Sequence, residues 1–298
     1  MKNLKQDCAS LLGTTRLHDG LGRRGFIKVA LGTALGTSFA VATLPVAAQS
    51  VIKTDDVGLT ADTVMIAVNG FNVPVYRAQP EGKTNLPVVL VISEIFGVHE
   101  HIADCARRFA KLGYLALAPQ LFARQGDPAK VASIPELMKE IVAKTPDREV
   151  MQDLDACVAW AAKNGGDPLR IGITGFCWGG RITWLYAAHN PKLKAGVAWY
   201  GRLVGVPNPI LPHNPVDIAP SLSVPVLGLY GGKDGGIGQD TIALMKEALA
   251  AGRSKSQFVV YPDAGHAFHA DYRASYVAVD ARDGFARCLA WFKAHGVA

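Results

Sequence analysis

Cysteine is scarce and unpatterned in this 298-residue chain. Five occur, and none stands in a CxxC pair or at metal-ligand spacing, which excludes zinc ribbons and CxxC redox motifs. No internal repeat is visible, so a solenoid or tandem array is excluded. No low-complexity linker divides the chain. Long apolar runs are nearly absent too. The 18 residues Val29 to Val46 only approach the ~20 that a spanning helix needs. Their Gly, Ala and Thr content keeps them mildly apolar.

That run follows Arg23-Arg24-Gly25-Phe26-Ile27-Lys28, a twin-arginine pattern, and ends at Val46-Ala47-Ala48, which offers small side chains to a signal peptidase. Residues 1–48 are therefore expected to be a twin-arginine signal, cleaved after Ala48. The product would be periplasmic or exported, with the export machinery as its partner; a retained anchor is the alternative. The signal would take away six of the 31 basic residues (Lys2, Lys5, Arg16, Arg23, Arg24, Lys28) and two of the 25 acidic ones (Asp7, Asp19), leaving a net charge of +2. No Lys/Arg cluster remains, so neither nucleic acid nor a stable membrane association is expected after processing. Residues 49–298 are long enough for one α/β domain, and no self-complementary surface is evident, so a monomer is expected.

Beyond a polar leader at 49–62, two short extended runs, Val64–Val68 and Phe71–Arg77, flank Asn69-Gly70, a strong hairpin signal. Six apolar runs then alternate with helical patterns: Pro87–Ser93, Tyr114–Ala118, Arg170–Thr174, Ala195–Tyr200, Pro225–Tyr230 and Gln257–Tyr261. The helical patterns fall near His99–Lys111, Arg148–Asn164, Gly179–His189, Gln239–Ala251 and Ser275–His295. Strands that are apolar on both faces and alternate with helices predict an α/β fold. Its central sheet would be mostly parallel, with helices on both faces and the hairpin as an antiparallel edge. Leu203–Ser223, rich in Pro and Asn, reads as a long surface loop. Cys105, Cys157 and Cys288 lie on helical patterns among apolar residues and are expected buried and unpaired.

The segment Arg170 to Arg181 reads as a buried strand, then Gly175-Phe176-Cys177-Trp178-Gly179, then a helix. This is the nucleophile-elbow pattern with cysteine in place of serine. The helix start would set positive backbone potential beside the sulfur, and the Trp178 N–H would be one oxyanion donor. In this arrangement an acid and then a histidine follow the nucleophile along the chain. Asp234 in Gly231-Gly232-Lys233-Asp234 and His266 in Asp263-Ala264-Gly265-His266 stand after successive strands, at the sheet end where ligands bind. His266 would handle the thiol proton, and Asp234 would fix its tautomer. His269, Asp263 and Asp240 are the competitors for these roles. Glu94 follows an apolar strand. The neighbouring Ile95 N–H would be the second oxyanion donor, and the Glu94 carboxylate would act on the protonation of the thiol.

From about residue 62 to 295 the chain resembles the dienelactone hydrolase family of the α/β-hydrolase superfamily. The resemblance rests on Glu94-Ile95-Phe96-Gly97, Gly175-Phe176-Cys177-Trp178-Gly179-Gly180 and the Asp234 and His266 segments. It implies an α/β-hydrolase fold and a Cys177–His266–Asp234 triad, with Glu94 interacting with the resting thiol. It also implies cleavage of a small ester or lactone through a thioester without metal or cofactor. Arg124, in Leu121-Phe122-Ala123-Arg124-Gln125, would contact a substrate carboxylate. The second arginine of well-known members falls here on Ala270; Arg273 stands three residues later, which leaves the particular lactone open. A broader periplasmic esterase or acyl transferase and a silent binding protein on the same fold are the competing readings.

Overall fold

The structure, a computed structural model, describes residues 52–298. The expected signal and its cleavage point lie outside them. Strands β1 (Leu59–Val68) and β2 (Phe71–Pro80) form the hairpin. They turn at Asn69 (φ 49°) and Gly70 (φ 81°), the two left-handed residues that a two-residue primed turn requires. Strand β1 begins earlier than the sequence reading has it, because Leu59 to Asp62, placed there in a polar leader, already pair with Pro80 to Arg77. An edge strand with solvent on one side carries little apolar signal, and this stretch has no buried residue.

Strands β3 (Leu86–Ile92), β4 (Leu115–Pro119), β5 (Gly166–Phe176), β6 (Ala195–Trp199), β7 (Val226–Gly231) and β8 (Gln257–Tyr261) complete an eight-stranded sheet. Its order is β1-β2-β4-β3-β5-β6-β7-β8. Strands β3 to β8 run parallel to one another, and β2 is antiparallel to both β1 and β4. Every residue of β4, β6 and β7 is buried, which is why these runs show no alternation in the sequence.

Seven α-helices accompany the strands among the described residues: α1 (Glu100–Lys111), α2 (Ile134–Glu140), α3 (Asp147–Lys163), α4 (Trp178–His189), α5 (Pro215–Ile218), α6 (Gln239–Ala250) and α7 (Ala278–Ala294). Helix α1 packs on β2 and β4, α3 on β5, α4 on β5 and β6, and α7 on β6. None of the described helices is long and apolar enough to cross a membrane. Helices α2 and α5 were not expected. The α5 turn interrupts the stretch read as a surface loop, where Leu203, Asn214, Pro215, Ala219 and Leu222 are buried. Asn214 and Asp217 close it with a reciprocal capping box, a local device that can stabilise a helix too short to show periodicity. Cys105, Cys157 and Cys288 are buried and unbonded, as expected. Burial pushes the Cys157 and Cys288 thiols up and keeps them inert.

Candidate active site

Strand β5 ends at Phe176 and α4 begins at Trp178, so Cys177 alone makes the turn between them. Its φ of 54° is left-handed, a conformation that disfavours any residue with a Cβ. Three backbone bonds hold it there. The Cys177 N–H donates to Trp199 O (3.0 Å), and the Cys177 carbonyl accepts from Gly180 N–H (3.0 Å) and Arg181 N–H (3.2 Å). Gly179 is required by contact, since a Cβ there would lie 2.4 Å from Ile92 O. The first turn of α4 therefore rests directly on the end of β3. The loop carrying Ile95 and the Trp178 end of α4 are thereby brought to the same edge of the sheet. Cys177 remains half-buried, whereas the other three described cysteines are sealed.

Asp234 and His266 come from the loops after β7 and β8. These loops are laced by Gly232 N–H to Tyr261 O (2.7 Å) and Lys233 N–H to Ala264 O (2.8 Å). A Cβ on Gly231 would lie 2.5 Å from Ala264 O, so the glycine pair lets the loops close on each other. Asp234 Oδ2 meets His266 Nδ1 at 2.7 Å, and Asp234 Oδ1 accepts the Gly236 N–H at 2.9 Å. His266 is also hydrogen-bonded to Cys177. Burial alone would lower the imidazole pKa, but the Asp234 carboxylate and Cys177 together hold it well above its usual range. The competitors are engaged elsewhere. Asp263 forms an exposed ion pair with Lys233, and Asp240 is exposed at the start of α6. His269 is buried against Trp199 and Phe176.

Glu94 is buried at the end of β3, but its oxygens are taken by neighbours other than the thiol. Oε2 lies 3.2 Å from His99 Nε2, and Oε1 accepts from Tyr272 Oη at 3.4 Å. Burial pushes this carboxyl up, yet the hydrogen bond and charge of His99 and the charge of His101 prevail and hold it at about 2. It is an anion at neutral pH. The guanidinium of Arg273 stacks over Phe96 (4.7 Å) and Tyr272 (4.9 Å), so this residue borders the Glu94 cluster.

Arg124 has a partner within the fold. Both terminal nitrogens of its fork go to Asp153, at 2.6 and 2.8 Å, while its face lies over Phe71. Asp153 is 1% exposed and needs a counter-charge, and a bidentate arginine supplies it. The guanidinium thus joins the loop after β4 to α3.

Two residues that sequence reasoning missed follow β6. Tyr200, with φ 37°, is fully buried and sets its ring edge-on to His266 at 5.1 Å. Its hydroxyl has no hydrogen-bond partner among the described residues. The charges of Glu94 and Cys177 both act on that hydroxyl, after burial, to raise its pKa. Arg202 lies close enough to Cys177 for the two charges to interact; burial and the Arg181 charge lower its guanidinium to about 10, so it stays cationic. The signal available in the sequence was their position, at a strand's carboxyl end beside the elbow.

The dienelactone hydrolase family model matches residues 73–296. A Methylorubrum extorquens protein named "Putative carboxymethylenebutenolidase" is 57% identical over 272 residues, covering 91% of this chain and 94% of its own. A protein of the same name from Escherichia coli K12 is 53% identical, covering 89% and 98%. The crystal structure titled "Putative Dienelactone Hydrolase" from Klebsiella pneumoniae superposes with a TM-score of 0.78 at 57% identity, covering 79% of this chain and 98% of that one. Lower in identity, at 24%, a dienelactone hydrolase-like phosphotriesterase from metagenomic libraries shares the fold with a TM-score of 0.68. With these matches spanning nearly the whole described fold, the chain belongs to the dienelactone hydrolase family and is a carboxylic ester hydrolase of the α/β-hydrolase superfamily.

Proposed function

We propose that the protein hydrolyses a small ester or lactone through a thioester on Cys177, with His266 as proton carrier and Asp234 as its orienting acid. The observation that carries this reading is the unbroken chain from the half-buried Cys177 through His266 to Asp234, set on a strained elbow at the carboxyl ends of the parallel strands. Asp234 fixes the His266 Nδ1–H, leaving the opposite nitrogen to hold the thiol proton. The sulfur attacks the acyl carbon, and the N–H groups of Trp178 and Ile95 receive the oxyanion. The protonated His266 then gives its proton to the leaving alkoxide or enolate. Water, deprotonated by the same imidazole, cleaves the thioester and releases the acid.

Glu94, held anionic behind the site by His99 and His101, is the carboxylate that faces the reacting groups from the end of β3. Arg273 and Arg202 supply the positive charge that a substrate carrying a carboxylate would meet, and the buried Tyr200 hydroxyl is the neutral donor beside them. The twin-arginine pattern supports export of the enzyme, and thus a periplasmic substrate.

Steady-state hydrolysis of a dienelactone and of a short aryl ester, by the wild type and by Cys177→Ala, tests this reading. Turnover confined to the wild type supports it. Equal slow turnover by both proteins would reject the thiol mechanism and leave the silent binding protein as the reading.

A further inference from the structure

Behind the elbow, on the buried side of Phe176, the side chains of His101, Cys105 and His269 converge. Their donor atoms all lie within 4.8 Å of one another. His101 and Cys105 stand one turn apart on α1, so they present donors from a single helix face. His269 reaches them from the loop after β8, and its ring lies 5.5 Å from that of His101. All three are sealed from solvent, at 1%, 1% and 2% exposure. None takes part in the proposed hydrolysis.

A plain hydrogen-bonded chain accounts for two of them. Cys105 Sγ lies 3.8 Å from His101 Nε2, and His101 Nδ1 lies 2.8 Å from Asp271 Oδ1. It does not account for His269, whose Nδ1 is buried without a hydrogen-bond partner among the described residues. An orphaned ring nitrogen in a dry interior is unfavourable unless something occupies it. One ion shared by the sulfur and one nitrogen of each imidazole would engage all three residues at once. Bonds of about 2.3 Å to sulfur and 2.0 Å to nitrogen, opening at 110–120°, set those atoms about 3.5–3.7 Å apart. The Cys105–His101 separation of 3.8 Å is slightly longer than this, so a small inward shift of the two side chains would seat an ion. Asp271 on the far nitrogen of His101 is the carboxylate that commonly orients a ligating imidazole.

We infer that His101, Cys105 and His269 form a metal site for a single soft ion, monovalent copper, separate from the catalytic thiol. Thiolate with two imidazoles is a donor set that selects copper or zinc. Structural zinc almost always takes four ligands. Here Asp271 is already committed to His101 and to the Ile52 N–H (3.0 Å), so the cluster offers three donors in a closed space. Three donors without water suit the monovalent ion. On binding, the Cys105 thiol gives up its proton to solvent as the sulfur–copper bond forms. No electron is transferred.

Loading should be measured on the full chain carrying Cys177→Ala, which removes the other thiol–imidazole pair. Cu(I) is supplied anaerobically as its acetonitrile complex, both to folded protein and during refolding, because the closed site admits an ion most readily while the chain folds. After desalting, one copper per chain is expected, falling at least tenfold when His269→Ala is added. X-ray absorption on the copper-loaded Cys177→Ala parent should give one sulfur and two nitrogens, a readout that does not depend on the second variant folding. Copper near zero by both routes would overturn the site and leave the hydrogen-bonded chain. Preferential retention of Zn(II) would overturn the assignment to copper. Retention undiminished in a folded His269→Ala protein would overturn the ligand set.

Discussion

The molecule contains the same three residue types linked in the same order twice. Cys177–His266–Asp234 stands at the strand ends, and Cys105–His101–Asp271 lies behind it. The imidazole–carboxylate contacts are nearly identical, at 2.7 and 2.8 Å. What differs is the setting of the sulfur. Cys177 projects half-buried from a left-handed turn with a helix start beside it. Cys105 is buried on a regular helix, one turn from its histidine. On the proposed mechanism a hydrogen-bonded triad does not make a nucleophile by itself; the strained backbone and an approach for substrate make the distinction.

Breaking either chain should show that contrast, and the largest effect falls on the exposed one. Cys177→Ala should lower kcat by ~10⁶ with little loss of stability, as removing a triad nucleophile does elsewhere. Burst kinetics and a thermal melt on one preparation would check both halves. Asp234→Asn should retain the fold and lower kcat by ~10⁴, because the amide leaves His266 in the wrong tautomer; a pH–rate profile of the variant reports it.

In the sealed chain the corresponding change should act on folding instead. Asp271→Asn breaks a pair whose two side chains are at most 1% exposed, and about 3–5 kcal/mol of stability should go with it. Urea unfolding would measure this, and a loss within 0.5 kcal/mol would show that the pair is dispensable.

Glu94, which stands between the two chains, should give the smallest effect, and it should depend on pH. Its carboxyl is held at about 2 in the folded protein, below the ordinary 4.5. A lowered folded value adds stability that is present above the unfolded pKa and lost as pH falls. The loss attributable to Glu94 should thus run from pH ~4.5 down to about 2 and total no more than about 3 kcal/mol. Glu94→Gln should flatten the stability profile in that window relative to wild type. Parallel profiles would show that His99 and His101 do not hold the anion.

Much of this contrast was legible in the sequence on one side only. Cys177, Asp234 and His266 follow apolar strand runs, so strand order alone brings them to one edge of the sheet. Asn69-Gly70 likewise announced its turn. The sealed chain was not legible, because His101 and Cys105 share a helix face with Phe109 and Ile102 while Asp271 and His269 arrive from a loop at the other end of the chain. Spacing along a sequence cannot register a third donor placed by tertiary packing. For the same reason the pairing of Arg124 was not legible. Its partner Asp153 sits on α3, where an acidic residue reads as solvated surface until the fold buries it. Tyr272 and His99 escaped notice because their role is set by Glu94, which reached them rather than the thiol.

The most direct test of the account is mass spectrometry of wild-type enzyme quenched during a single turnover of a short aryl ester. The account predicts an acyl mass increment on the peptide carrying Cys177, absent from the peptide carrying Cys105, that decays as product acid appears. Turnover with no adduct on Cys177, or with the adduct on another residue, would contradict it.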